Sequence, residues 1–147
     1  MRRWSIPTRQ AMFRALVVAR AAGEPYVNPS RVAVALLRSG AIDVFCGERL
    51  TTRNALIKAL EDARELSFEI VEGRVEANLA AEQVEFGSPA HLARVRPLAM
   101  HPNAQHAVDV VSRGDDDAEP VTSIELFREL LNADPDLAGR VSAATKD

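Results

Sequence analysis

Cysteine, aromatic residues and long apolar runs are all scarce in this sequence. The single cysteine, Cys46, rules out a disulfide within the chain and fits a reducing compartment. Aromatic residues make up only 5% of the chain, a proportion that favours closely packed helices over a β-sandwich. No stretch approaches the roughly 20 apolar residues of a membrane span. The composition therefore predicts an all-α, soluble, cytoplasmic protein.

Excess positive charge and recognisable catalytic motifs are missing as well. The net charge of -3 provides no general attraction for nucleic acid or an anionic membrane. The chain contains no Gly-x-x-x-x-Gly-Lys-Ser/Thr phosphate loop. Its histidines, His91, His101 and His106, form no His-Glu-x-x-His motif, and no cysteine pair accompanies them. We therefore expect no enzyme activity, no metal, no cofactor, and neither nucleic acid nor a membrane as partner.

Apolar residues at helical spacing dominate the first third of the chain. One stripe predicts a helix with Thr8 as its N-cap and Ala22 as its end. That stripe consists of Ala11, Ala15, Val18 and Ala22. Asn28 followed by Pro29 predicts the start of a second helix, with asparagine as N-cap and proline at the first helical position. A short helix at 42–46 and a longer one from about 52 to 66 should follow.

The segment 67–97 has a weaker pattern. Phe68, Ile70 and Val75 around Gly73 permit a small hairpin. Ser88 followed by proline indicates a further helix start. Because a structureless loop of this length is uncommon in a compact domain, we predict a partly structured connector.

The opening pattern returns after the connector. His101 or its neighbour caps a helix whose Ala104, Val108 and Val111 repeat the spacing of the first stripe. In the aligned copies Thr8 corresponds to His101. Asn28-Pro29-Ser30-Arg31 corresponds to Thr122-Ser123-Ile124-Glu125, and Pro135 opens a last short helix. We predict one domain over 1–147, built from two pseudo-symmetric helical repeats at about 5–66 and 98–143 that bury each other's stripes.

These repeated segments resemble the N-terminal double-repeat domain of the Clp (Hsp100) protein-unfolding ATPases. The segments that carry the resemblance are Gly23-Glu24-Pro25-Tyr26-Val27, Val34-Ala35-Leu36-Leu37 and Asp134-Pro135-Asp136-Leu137-Ala138. The resemblance implies two pseudo-symmetric four-helix repeats. It also implies a role in recruiting substrate proteins or adaptors to a hexameric unfoldase, and some members bind phosphorylated arginine or cyclic peptides.

The chain departs from that family in the turn before the second helix of each repeat. Family members carry Gly-Thr-Glu-His there, and the glutamate is implicated in holding the guanidinium of phosphoarginine. Ser30 and Ile124 replace this glutamate here. Without the carboxylate there is no charge-assisted bidentate partner, so phosphoarginine recognition of the usual kind is not expected. The charged Arg31 and Glu125 lie one position further, roughly a hundred degrees around the helix.

A peptide is expected to dock in a groove between the repeats. The candidate residues are Trp4, Pro7, Thr8, Ser30, Arg31, Met100, His101, Ile124 and Glu125. Trp4 and Met100 each precede the first helix of a repeat. Either they bind the peptide directly, or each acts as a hydrophobic staple that closes the start of its helix.

The predicted function is a non-catalytic module that binds substrate proteins, adaptors or peptides for a Clp chaperone-protease, with a Clp ATPase as a further expected partner. One alternative is a degenerate regulatory or decoy version, suggested by the missing glutamates, that sequesters ligands or binds the unfoldase. A second alternative is an all-α DNA-binding regulator, because short helices joined by turns can mimic a helix-turn-helix. The acidic balance and the lack of a basic recognition helix disfavour it.

Overall fold

The computed structural model describes residues 1–39, 50–61 and 65–145, and these ranges contain α-helices and no β-strand. The helices are α1 (Ile6–Ala21), α2 (Pro29–Arg38), α3 (Leu50–Leu60), α4 (Phe68–Ala81), α5 (Pro89–Leu92), α6 (Pro102–Val111), α7 (Ser123–Ala133) and α8 (Pro135–Thr145). The all-α prediction is confirmed for the described residues. The predicted helix at 42–46, with Cys46, lies outside them. None of the described helices is long and apolar enough to cross a membrane.

Most of the predicted helix starts are confirmed. Asn28 is the N-cap of α2, with Pro29 directly after it. The Nδ1 atom of His101 accepts a hydrogen bond from the N–H of Asn103 at 3.1 Å, which caps α6. The hydroxyl of Thr122 accepts the N–H of the third residue of α7 at 3.3 Å. The side chains of His101 and Thr122 satisfy N–H groups that have no acceptor inside the helix. The side chain of Asn28 forms no such bond, and Pro29, which has no N–H, marks the start of α2 instead.

The predicted start of α1 at Thr8 is wrong. Ser5 is the N-cap, and its hydroxyl accepts the N–H of Thr8 at 3.4 Å. Pro7 lies in the first helical turn, where its missing N–H would have had no partner, so the helix can extend back past it. The N-cap of α1 is therefore Ser5, and Thr8 is a fully buried residue at the third helical position.

The predicted hairpin around Gly73 is also wrong, because this segment is the middle of α4. Phe68, Val71 and Leu79 are buried at helical spacing, and α4 packs against α1. The preceding helix ends at Leu60 rather than near residue 66. The next residue, Glu61, accepts the N–H of Phe68 on its side-chain Oε1 at 3.0 Å, and this contact ties the end of α3 to the start of α4.

The core is built mainly from alanine, valine and leucine. The predicted stripes are confirmed: their fully or almost fully buried members include Ala11, Ala15, Val18, Val32, Leu36, Leu56, Leu60, Ala104, Leu126 and Leu130. Burying one leucine or valine side chain stabilises the folded state by about 1.5–3 kcal/mol. The helix α2 is buried from Arg31 to Leu37 and contacts α1, α3, α6 and α7. It is thus the central element of the fold.

Helices pack in a reciprocal arrangement around α2. The helices α1 and α2 form one pair in extensive contact, and α6 and α7 form a second pair. The helices that follow these pairs, α3 and α8, pack against each other. Two short backbone contacts complete the arrangement, and we call them the first and the second junction.

The first junction joins residues 3–5 to Val121. The N–H of Val121 donates to the carbonyl of Arg3 at 2.8 Å, and the N–H of Ser5 donates to the carbonyl of Val121 at 3.0 Å. The two segments run parallel and form an isolated bridge, with Trp4 opposite Val121. This contact links the segment before α1 to the segment before α7.

The second junction joins residues 99–101 to Val27 in the same way. The N–H of Val27 donates to the carbonyl of Ala99 at 2.9 Å, and the N–H of His101 donates to the carbonyl of Val27 at 2.9 Å. The pairing is again parallel, with Met100 opposite Val27. This contact links the segment before α6 to the segment before α2. In the first junction the first helix belongs to the pair α1 and α2, whereas in the second it belongs to the pair α6 and α7.

Candidate functional site

The predicted site residues divide between the two junctions. Trp4, Thr8, Ile124 and Glu125 belong to the first junction and to the helix starts beside it. The second junction and the first turn of α2 contain Ser30, Arg31, Met100 and His101. The remaining candidate, Pro7, lines a cavity on the flank of α1. The structure therefore brings these residues together as two groups.

A chain of hydroxyl groups fills the inside of the first junction. The hydroxyl of Thr8 lies 2.6 Å from that of Ser5 and 3.0 Å from that of Ser123. It also donates to the carbonyl of Val121 at 3.3 Å. Thr8 is 0% and Ser123 is 4% exposed, so neither hydroxyl faces a ligand. This part of the predicted site holds the junction together.

An ion pair covers the outside of the first junction. Arg2 donates from Nη1 to Oε2 of Glu125 at 2.8 Å and from Nη2 to Oε1 at 3.3 Å. The hydrogen bond from Arg2 holds the pKa of Glu125 below its ordinary value, and the same bond raises the pKa of Arg2. Nearby, the indole N–H of Trp4 donates to the hydroxyl of Ser112 at 3.2 Å. Glu125 is thus neutralised from within the chain.

A buried ion pair lies beside the second junction. The guanidinium of Arg31 is only 1% exposed. Its Nε and Nη2 atoms donate to the two carboxylate oxygens of Glu24 at 3.0 and 2.9 Å, and Nη1 donates to the carbonyl of Leu66 at 2.8 Å. The carboxylate of Glu65 lies 3.8 Å away. A positive charge is unfavourable in the first turn of a helix, and these acceptors offset it.

A carboxylate lies beside Ser30, the residue that stands where the Clp family has its glutamate. It belongs to another residue, Glu65. Glu65 accepts a hydrogen bond from the amide of Asn28 at 3.0 Å, and its two oxygens lie 3.5 and 3.4 Å from the hydroxyl of Ser30. His101 borders the same cleft, of about 140 Å³, and its ring packs edge-on against Tyr26 at 5.3 Å. The second junction therefore has a polar cleft with its own acidic group.

Met100 lines a cleft of a different character. This cleft has a volume of about 220 Å³ and separates α1 from the chain around residue 98. Its walls are Met12, Phe13, Leu16, Val27, Leu98 and Met100. Every one of these side chains is apolar, and methionine adapts its shape to different contact partners. Such a cleft can accept an apolar side chain.

A cavity of about 440 Å³ lies on the other side of Phe13. Its apolar walls include the exposed Ile6 and Leu92. Phe13, Phe86 and His91 form an edge-on cluster behind it, with ring centroids 4.9–5.9 Å apart. His91 is 3% exposed, and burial lowers its pKa. Sequence patterns indicate nothing of this cavity beyond the helix start at Ser88, because residues 86–92 are distant from α1 in the chain and fold back on it.

A second cavity of about 410 Å³ lies between α1, α2 and α4. Its polar wall contains Arg14, Arg38 and Glu72, and its apolar wall contains Pro7 and Phe68. Glu72 is buried, with Oε2 at 3.1 Å from Nη1 of Arg14 and Oε1 at 3.5 Å from Nη2 of Arg38. Sequence patterns did not single out these three residues, because they come from three different helices.

Comparisons with known proteins find no matching family model, no matching curated protein and no matching solved structure. Over residues 1–39, 50–61 and 65–145, no group of three or more His, Cys, Asp or Glu side chains could hold a metal ion. The function of the chain has to be inferred from its junctions and from the clefts beside α1.

Proposed function

We propose that this chain is a non-catalytic module that binds unfolded or adaptor proteins, related to the N-domains of Clp unfoldases. It would recruit such proteins to a Clp chaperone-protease in the cytoplasm, with a Clp ATPase as a further partner. The clefts along α1 support binding, because they combine apolar and aromatic walls with a few polar groups, as peptide sites do. Exposed Ile6, Tyr26 and Leu92 add apolar surface beside them.

The single observation that carries this proposal is the reciprocity of the junctions. Each joins the segment before the first helix of one pair to the residue before the second helix of the other pair, with the same two hydrogen bonds. The caps correspond as well: Ser5 matches His101, and Asn28 matches Thr122. This agreement supports two pseudo-symmetric repeats within one domain, which is the arrangement that the Clp resemblance implies.

Within this proposal the predicted site residues have two roles. Pro7, Met100 and His101 line open clefts and are the candidates for contact with a bound protein. Thr8, Arg31 and Glu125 have their polar groups engaged inside the chain, so we assign them to holding the repeats together.

A fluorescence anisotropy titration with fluorescein-labelled casein, a largely unfolded protein, tests the proposal. We expect saturable binding that weakens by about tenfold, equivalent to about 1.4 kcal/mol, in the variant Met100→Gln. The matched control is Met1→Gln, at a methionine that is 78% exposed and lies outside the clefts. Absence of any casein binding would contradict the proposal, and salt-sensitive retention on DNA would favour the DNA-binding regulator in its place.

A decoy is the second candidate, favoured by the internal ion pairs at both junctions. Arg31 and Glu125 are already neutralised, so neither offers a free charge to a ligand at the positions next to the missing glutamates. A decoy would lower substrate degradation by a Clp protease as it is added, without being degraded. A flat titration of protease activity would exclude this second candidate.

A further inference from the structure

Two arginines share one buried carboxylate in the cavity between α1, α2 and α4. The side chain of Glu72 is 8% exposed, whereas those of Arg14 and Arg38 are 42% and 31% exposed. Their nearest nitrogen–oxygen distances to Glu72 are 3.1 and 3.5 Å. The negative charge therefore lies inside the protein, and both positive charges lie at the cavity.

Within residues 1–39, 50–61 and 65–145, the hydrogen-bond donors of these two guanidinium groups have no acceptor. The Oε2 atom of Glu72 accepts no hydrogen bond from any residue that the structure describes, so its approach to Arg14 is an ion contact without hydrogen-bond alignment. Neither guanidinium donates a hydrogen bond to the described part of the chain. Each guanidinium has five N–H donors in a planar fork, which matches a carboxylate.

Aromatic rings hold both guanidinium groups in place. The Cζ atom of Arg14 lies 5.0 Å from the ring centroid of Phe86, and that of Arg38 lies 5.6 Å from the ring centroid of Phe68. Such contacts stabilise a cation over the ring face, and together with Glu72 they restrict both side chains before a ligand arrives. The cavity thus presents two oriented guanidinium groups to a ligand.

We propose that this cavity binds a carboxylate of a peptide, carried by an Asp or Glu side chain or by a free C-terminus, next to an apolar residue. Two arginines and one glutamate leave a net charge of one positive unit, which matches a carboxylate monoanion. A phosphate dianion would leave the occupied site with a net negative charge, whereas a carboxylate leaves it neutral. This proposal rests on the proposed peptide-binding function and names the chemistry of the peptide.

The apolar surroundings complete the proposed peptide chemistry. Pro7 and Phe68 line the cavity beside the arginines. Gln10 and Arg14 border both this cavity and the larger one that contains Ile6 and Leu92. A peptide lying across α1 can therefore place its carboxylate at the arginines and the neighbouring apolar side chain in the larger cavity.

Unlabelled leucine-rich peptides with an acetylated N-terminus and an amidated C-terminus provide the test in calorimetric titrations, one with a central Glu and one with Gln at that position. We expect the native chain to bind the Glu peptide about tenfold more tightly, a difference of about 1.4 kcal/mol. A third peptide, with Gln at the centre and a free C-terminus, tests whether a C-terminal carboxylate binds in place of a side-chain carboxylate. Tighter binding of this form than of its amide assigns the cavity to C-termini. Equal binding of all three peptides contradicts the inference and leaves the proposed function intact.

Substitutions at Arg38 locate the effect. Arg38→Gln should abolish the preference for the Glu peptide, whereas Arg38→Lys keeps the charge, loses the planar fork and should keep only part of the preference. Arg128→Gln, at an exposed arginine of α7, is the matched control and should change nothing. An undiminished preference in Arg38→Lys and Arg38→Gln would overturn the proposal, and Arg38→Lys remains informative if the glutamine variant does not fold.

A titration with acetate separates the site from the function. The arginine Nε–Hε signals of Arg14 and Arg38 in the ¹⁵N-labelled chain should shift as acetate is added, and those of Arg128 should not. Acetate shifts without binding of any peptide would keep the carboxylate site and contradict the peptide-binding function. Unchanged signals of Arg14 and Arg38 would contradict the carboxylate site.

Discussion

The two junctions share one backbone pattern and differ in almost everything that supports it. Each has a parallel contact of the same two hydrogen bonds, followed by two helix starts. At the third position of the first helix, the first junction has Thr8 and the second has Ala104, and both are fully buried. The hydroxyl of Thr8 therefore forms hydrogen bonds inside the first junction, whereas the methyl group of Ala104 only packs inside the second.

The two junctions also have opposite charges at the start of the helix that follows. Glu125 and Arg31 occupy the same position, three residues after the N-caps of α7 and α2. A carboxylate there interacts favourably with the helix dipole, and a guanidinium does not. The partly exposed Glu125 pairs with Arg2 and accepts a hydrogen bond from the hydroxyl of its own cap, Thr122. Arg31 is buried and has Glu24 and Glu65 around it. The backbone pattern tolerates opposite charges because each charge has its own compensation, and the cost of losing that compensation should differ greatly.

The largest expected effect is that of Arg31→Met at the second junction. Removing one partner of a buried pair leaves the carboxylate of Glu24 without its guanidinium, so we expect a loss of about 3–5 kcal/mol in the free energy of unfolding. Urea denaturation followed by circular dichroism measures it. The control Arg128→Met changes an exposed arginine and should stay within about 0.5 kcal/mol. A loss as small as the control would mean that Arg31 is not held as described.

The next effect is that of Thr8→Val at the first junction. Valine keeps the shape of threonine but removes the hydroxyl that contacts Ser5 and Ser123, so we expect a loss of about 1–3 kcal/mol. The fluorescence of Trp4, the only tryptophan, reports on this junction during denaturation. Thr8→Ser keeps the hydroxyl and should cost less than Thr8→Val. The opposite order would show that the methyl group of Thr8 matters more than its hydrogen bonds.

A smaller effect concerns pH at the first junction. Because the pKa of Glu125 is lowered in the folded state, the unfolded chain binds this proton more readily. The stabilisation is complete above the ordinary value of 4.5 and is lost as the pH falls through the lowered pKa. The difference in stability between the native chain and Glu125→Gln should therefore be constant near neutral pH and shrink below pH 4.5. A difference that grows on acidification would reverse the assigned sign.

The smallest effect is the response to salt. Screening lengths fall from about 10 Å in 0.1 M salt to about 3 Å in 1 M salt, and exposed charges are screened most. The cost of Glu125→Gln should therefore decrease as sodium chloride is added, while the cost of Arg31→Met should stay nearly the same. Denaturation of both variants at low and high salt gives the comparison. Equal salt responses would remove the distinction between an exposed and a buried ion pair.

Local chemistry made much of the fold predictable. The cap Thr122 and the prolines that open α2 and α8 act on their own neighbours, so the sequence indicates these starts directly. The start of α1 was misplaced because Ser5 and Thr8 are both good caps, and the choice depends on the contact of Thr8 with Ser123 across the molecule. The helix α4 was missed because Gly73 interrupts its pattern, while its burial depends on α1.

The candidate site was less predictable for the same reason. Arg2 and Glu125 are separated by 123 positions, so no spacing rule pairs them. Glu65 supplies a carboxylate beside Ser30 from a position 35 residues away. The clefts depend on Phe86 and α4 folding back on α1, which periodicity does not encode. What the sequence did indicate, the importance of the residues before each helix pair, is where both junctions lie.

The most direct test of the central claim is an NMR titration of the ¹⁵N-labelled chain with unlabelled casein. We expect the largest shifts in backbone amide signals at the clefts beside α1, at Phe13, Leu92 and Met100. The signals of α7 around the exposed Arg128 should stay unchanged. No shift at concentrations up to about 1 mM, which corresponds to binding weaker than about 4 kcal/mol, would contradict a peptide-binding module. Shifts confined to surfaces away from these clefts would contradict the site.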